Sequence, residues 1–80
     1  MINITIQAFG ILKDFIGQKP VTWEVEKDMT VGELRQLVRS KCLVHPSLPI
    51  AIVRHNQYQK DDECLQSGDD IFLMPPVSGG

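Results

Sequence analysis

The chain has 80 residues, of which 42% are hydrophobic, and its 8 lysines and arginines against 10 aspartates and glutamates give a formal net charge of −2. That length holds one small domain and no second one, and the basic residues are scattered without a run, which argues against a nucleic-acid partner. No apolar stretch nears the ~20 residues of a bilayer span and Met1-Ile2-Asn3-Ile4 lacks the charged start of a secretion signal, so a cytoplasmic chain without a membrane role is expected.

Ile2, Ile4, Ile6 and Ala8 alternate with Asn3, Thr5 and Gln7, the period-two pattern of a strand with one buried face. Gly10 and Gly17 then bracket a stretch in which Ile11 and Phe15, and Leu12 and Ile16, stand four apart, the spacing of a brief helical turn laid on the core. After Pro20, the alternation of Val21, Trp23 and Val25 with Thr22 and Glu24 predicts a second strand, antiparallel to the first. With valines two residues away on either side, Trp23 is expected in the core.

Thr30 and Glu33 have the spacing of a capping box, and Met29 and Leu34 that of a hydrophobic staple. Val31, Leu34, Leu37, Val38 and Cys42 then recur on one face of an amphipathic helix, with Arg35, Gln36, Arg39 and Ser40 expected to face water. His45-Pro46 and Pro49 prevent the helix from continuing.

Ile50, Ala51, Ile52 and Val53 predict a third strand, and Asn56-Gln57 a turn toward a short fourth piece around Tyr58. Asp61, Asp62 and Glu63 lack the glycine and downstream ligand of a calcium loop and are expected to be a solvated loop. Ile71-Phe72-Leu73-Met74 is an apolar run, expected to be a central strand covered on both faces. Phe72 and Met74 alternate with Ile71 and Leu73, so one of the two sets must face outward near the tail, and Phe72 and Met74 are expected to be that partner surface. Cys42 and Cys64 are expected as reduced, buried structural thiols. His45 and His55 lack a second ligand at zinc spacing, and no metal site is expected.

The order strand, strand, helix, strand, short strand, strand predicts an α+β fold. Its mixed four- to five-stranded sheet packs on one main helix, with the first and last strands parallel at the centre: a ubiquitin-like β-grasp. The domain is expected over residues 1–76, followed by a flexible tail over 77–80. Pro75 and Pro76 have no N–H for a sheet ladder and send the chain out as a stiff segment. Val77, Ser78, Gly79 and Gly80 span roughly 13–14 Å when extended, enough to enter a narrow cleft of another protein. No convergent set of ionisable side chains is found, so the chain is not expected to be an enzyme on its own.

Pro75-Pro76-Val77-Ser78-Gly79-Gly80 resembles the tail of the small subunit of molybdopterin synthase, the MoaD group of ubiquitin-like sulfur carriers, to which the ThiS carriers are related. The resemblance continues in Phe9, Gly10, Lys13, Asp14 and Gly17, which match the family's Phe-Ala-x-x-Arg-Glu-x-x-Gly stretch with lysine in place of arginine. It also includes Asn56-Gln57, with His55 where an apolar residue is usual, and the Leu-x-x-Gly-Asp turn of Leu65, Gly68 and Asp69.

The resemblance implies chemistry at the Gly80 carboxylate. An E1-like adenylating enzyme (MoeB-like) would activate it with ATP, and a sulfur donor would convert it to a thiocarboxylate. A MoaE-like large subunit of molybdopterin synthase would use that sulfur for the dithiolene of molybdopterin, in a molybdenum or tungsten pathway. Pro75, Pro76, Val77, Ser78 and Gly79 would thread the partner, Phe72, Met74, Phe9 and Lys13 would meet its surface, and no cofactor would be bound. A ubiquitin-like modifier or a thiamine-pathway type carrier would use the same Gly-Gly terminus, and a plain interaction module would not need it.

Overall fold

In the computed structural model, which describes residues 1–75, the alternating run at the start of the chain forms β1 (Ile2–Ala8). It pairs antiparallel with β2 (Val21–Val25), Ile4 opposite Trp23 and Ile6 opposite Val21. Between them a 3-10 turn, Gly10–Leu12, runs into a four-residue helix α1 (Lys13–Ile16). Leu12 is fully buried, but Ile11 and Phe15 are exposed, so only one side of this turn lies on the core.

The main helix, α2 (Val31–Cys42), begins with its four orphan N–H donors all satisfied. Val31 N–H donates to the Glu63 carbonyl at 2.8 Å, Gly32 N–H to the Asp61 carbonyl at 3.0 Å, and Glu33 N–H to Thr30 Oγ1 at 3.2 Å. The capping box closes as Thr30 N–H donates to Glu33 Oε1 at 2.9 Å. The acidic run of residues 61–63 is therefore more than a solvated loop: its backbone caps the helix, and the Asp61 carboxylate accepts from Arg35.

Arg35 and Arg39 also depart from the expectation that they face water. Arg35 Nε donates to the Ile50 carbonyl at 2.8 Å, and Arg39 Nη1 donates to the carbonyls of His45 (3.1 Å) and Leu48 (2.7 Å). They pin the proline-containing loop, whose own strand and helix ladders are missing, back onto the helix. The helix stops one residue ahead of that loop, where Leu43 takes a left-handed conformation (φ 55°).

β3 (Ala51–Arg54) and β4 (Gln57–Tyr58) form a hairpin whose two-residue turn is His55-Asn56 rather than Asn56-Gln57. Both turn residues have positive φ (57° and 62°), the type I′ geometry that matches strand twist and that histidine and asparagine tolerate. β5 (Asp70–Met74) lies between β1, to which it is parallel, and β3, to which it is antiparallel, giving the order β2-β1-β5-β3-β4. This is the β-grasp.

Ile4, Ile6 and Ala8 of β1, Ile71 and Leu73 of β5 and Ile52 of β3 meet Val31, Leu34 and Val38 of α2 in one core. Trp23 lies on the core side of the edge strand β2 but is only half-buried, its ring partly covered by the Lys41 ammonium, 5.2 Å from the ring centre. Cys42 is half-buried, and Cys64 is exposed rather than buried because the residue that enters the core there is its neighbour Leu65.

Candidate functional site

β5 carries the site. α2 covers only one face of the sheet, so the side chains of β5 alternate: Ile71 and Leu73 are buried in the core, while Phe72 and Met74 are half-buried on the opposite face. Coverage on both faces, expected from the unbroken apolar run, is thus not found. The run is apolar for two different reasons, core on one side and a surface patch on the other.

That outward face is apolar on the β3 side of Phe72, while Gln7 of β1 stands opposite Phe72 on the other side. Val53 stands opposite Phe72 on β3 and Ala51 opposite Met74, so register places both side chains beside the β5 pair, and Tyr58, opposite Val53 on β4, lies one strand farther out. Phe9, just beyond β1, brings its ring to 5.7 Å from that of Phe72 at a 48° tilt, an arrangement in which aromatic pairs attract. Phe9 is held there by its N–H, which donates to the Leu73 carbonyl at 2.9 Å.

The chain leaves the sheet at Pro75, and Pro75 rests on Gly10. A Cβ on Gly10 would come within 3.0 Å of Pro75 Cγ, and Gly10 has φ +59°, so the absent side chain serves both the turn and the contact. Of the residues named from the sequence, Phe9, Phe72, Met74 and Pro75 are brought together. Lys13 opens the short helix α1, half-buried, and joins no ion pair among the described residues. Pro76, Val77, Ser78, Gly79 and Gly80 lie outside the described residues.

The start of β5 is fixed by a polar cluster that sequence reasoning missed. Arg54, at the end of β3, is buried, and its Nη1 donates to Asp69 Oδ2 at 2.7 Å and to the Cys64 carbonyl at 2.9 Å. Nη2 donates to Gln59 Oε1 at 3.0 Å. Asp69 Oδ2 also accepts from Gln66 N–H at 2.7 Å, while Thr5 N–H donates to the Asp69 carbonyl at 2.9 Å, tying the Leu-x-x-Gly-Asp turn to β1. Buried charges persist when paired and hydrogen-bonded in this way. The available signal was a lone arginine closing an apolar strand, with an aspartate in a tight turn farther on.

The remaining chemistry is sparse. Burial raises the Cys42 thiol above its ordinary range, with Lys41 pulling the other way. Among the described residues no group of three or more His, Cys, Asp or Glu is placed to hold a metal ion, and no helix is long and apolar enough to cross a membrane.

The profile of the ThiS family matches residues 6–80. Small archaeal modifier protein 1 of Haloferax volcanii is 31% identical, over 92% of this chain and 97% of its own length. A crystal structure of that protein superposes with a TM-score of 0.75 at 22% identity, covering 96% of this chain and 100% of the other. A chain of the protein-protein complex of subunits 1 and 2 of the molybdopterin-converting factor from Helicobacter pylori superposes with a TM-score of 0.67 at 25% identity, over 99% of this chain and 100% of that chain.

Proposed function

We propose, from the premise that this chain belongs to the ThiS family, that it is a sulfur carrier of molybdenum or tungsten cofactor biosynthesis whose reacting group is the Gly80 carboxylate. The observation that carries the reading is that the family match extends to residue 80, so Gly79-Gly80 falls within the shared pattern. An E1-like activating enzyme joins the carboxylate to the α-phosphate of ATP and releases pyrophosphate. Hydrosulfide released by the donor then attacks the carbonyl carbon, the acyl C–O bond breaks as AMP leaves, and loss of the S–H proton leaves a thiocarboxylate. The large synthase subunit consumes that sulfur in forming the dithiolene of molybdopterin.

In this reading the chain works in the cytoplasm as substrate and subunit, binds no cofactor, and lends geometry rather than acid–base groups. Phe9, Phe72 and Met74 supply an apolar face for the partner, with Lys13 at its margin. Gly10 sets the direction in which Pro75 hands the chain to Pro76, Val77, Ser78 and the two glycines. Glycine at the end admits a channel tight enough to keep water from the acyl adenylate. The Helicobacter pylori complex supports a large-subunit partner by analogy.

A second reading, conjugation of Gly80 to lysines of other proteins, is favoured by the 31% identity to an archaeal modifier protein. Intact-mass analysis of the chain purified from its own host separates the two. A thiocarboxylate adds roughly 16 Da, and conjugates are far heavier. A thioacid-selective alkylating reagent distinguishes the sulfur from an oxidation. Conjugates with no thiocarboxylate form would replace the first reading by the second.

A further inference from the structure

Two shallow depressions, each of about 230 Å³, open on the outward face of the sheet, and Asp70 and Phe72 line both. One lies toward the β3–β4 turn, with His55, Asn56, Gly68 and Asp69; the other lies toward β1, with Thr5, Gln7 and Pro20. Each is below the ~300–1,000 Å³ usual for small-molecule sites and suits single side chains of a protein partner.

The two carboxylates there differ. Asp69 is buried and occupied by Arg54 and the Gln66 N–H. Asp70 is exposed, and none of the ion pairs among the described residues includes it. No lysine or arginine lines either depression. The result is a negative charge two residues from an aromatic ring on the same strand face, with no cation of its own.

We propose that this face receives an arginine of the activating enzyme, whose guanidinium pairs with the Asp70 carboxylate while its plane lies against the Phe72 ring. Arginine fits better than lysine because its planar fork binds a carboxylate through two N–H groups and stacks on an aromatic face. Arginine is also enriched in interface hot spots, whereas lysine is depleted from interfaces. Thr5, Gln7 and Asn56 offer side-chain oxygens to the N–H groups left over. Asp70 thus adds a polar anchor and an electrostatic attraction to the apolar contact of Phe72 and Met74.

The inference rests on the proposed activation of Gly80, and one assay tests the two separately: ATP–pyrophosphate exchange by the cognate activating enzyme, with the concentration of this chain varied and a thermal melt run for each variant. Asp70→Asn is expected to raise the KM for the chain about tenfold with kcat within about twofold, as for a contact made equally in ground and transition states. Asp70→Lys should be worse and Asp70→Glu close to the parent. The parent KM should also rise more steeply with salt than that of Asp70→Asn. An unchanged KM in Asp70→Asn, or an equal salt slope in parent and variant whatever the melts show, overturns the pairing alone. A parent chain that supports no exchange overturns the activation reading and the pairing with it.

Discussion

Gly10 and Pro75 touch so closely that a Cβ on the glycine would stand 3.0 Å from the proline Cγ, and the glycine holds φ +59° to make this possible. The contact couples the turn after the first strand to the exit of the last. Gly10→Ala would force an L-residue into the left-handed region, at about 1–2 kcal/mol, and press on a rigid ring. At roughly 4–8 °C per kcal/mol for a domain of this size, a melt should show a clear drop. Its exchange rate with the activating enzyme should fall further than the melt explains, because the tail would leave in a new direction. A variant with the parent's melt and exchange rate would show that the contact directs nothing.

The buried pair of Arg54 and Asp69 should be the polar feature most costly to break. Removing either partner leaves a charge without compensation, typically at 3–5 kcal/mol, out of total stabilities of about 5–15 kcal/mol. Asp69→Ala and Arg54→Ala are both expected to unfold in urea at a much lower midpoint than the parent. Midpoints within experimental error of the parent would mean that the cluster is not what holds the start of β5.

Phe72→Glu and Met74→Glu should leave the domain folded, because both side chains lie on the face away from α2. Loss of the Phe9 ring pair costs roughly 1 kcal/mol. Binding to the activating enzyme or the large subunit should fall by tenfold or more, as truncated hot spots do, roughly 1.4 kcal/mol per factor of ten. Leu73→Ala on the core side should show the reverse, with a cavity cost of about 2–5 kcal/mol and intact binding while it stays folded. Calorimetric titration beside melts checks the contrast, and unfolding of both glutamate variants would contradict it.

Local patterns made most of the fold legible. The alternation of Ile2, Ile4 and Ile6, the Thr30–Glu33 box and the period of Val31, Leu34 and Val38 each express a rule that operates over a few residues, and the structure contains all three. Arg54 was not legible because its partners, Asp69 and the Cys64 carbonyl, come ten or more residues later and are brought near by the sheet. The same holds for Arg35, which reaches Ile50 and Asp61. Trp23 was expected deeper because alternation identifies the side of a strand but not whether the strand is an edge. At the candidate site, parity required one outward pair on β5, but only the register with β1 and β3 shows which.

The two cysteines should be chemically distinct and dispensable. Cys64 is exposed, while burial raises the Cys42 thiol and leaves less thiolate at a given pH. An alkylating reagent near pH 8 should label Cys64 first and Cys42 slowly, with the rate at Cys42 still rising with pH beyond the point where an ordinary thiol levels off. Cys42→Ser and Cys64→Ser should keep sulfur transfer within a few-fold of the parent. A folded variant that loses transfer completely would make that thiol part of the sulfur path.

Delivery of the Gly80 carboxylate is the centre of the account, and ATP–pyrophosphate exchange with the cognate activating enzyme measures it most directly. The parent should support exchange, whereas Gly79→Val or one residue added after Gly80 should lower the rate by ~100-fold or more, because a displacement of an ångström or so at the reacting atom has that effect. Melts of these variants should match the parent. Undiminished exchange by the extended chain, with intact mass showing the added residue still in place, would contradict both the sulfur-carrier and the modifier readings.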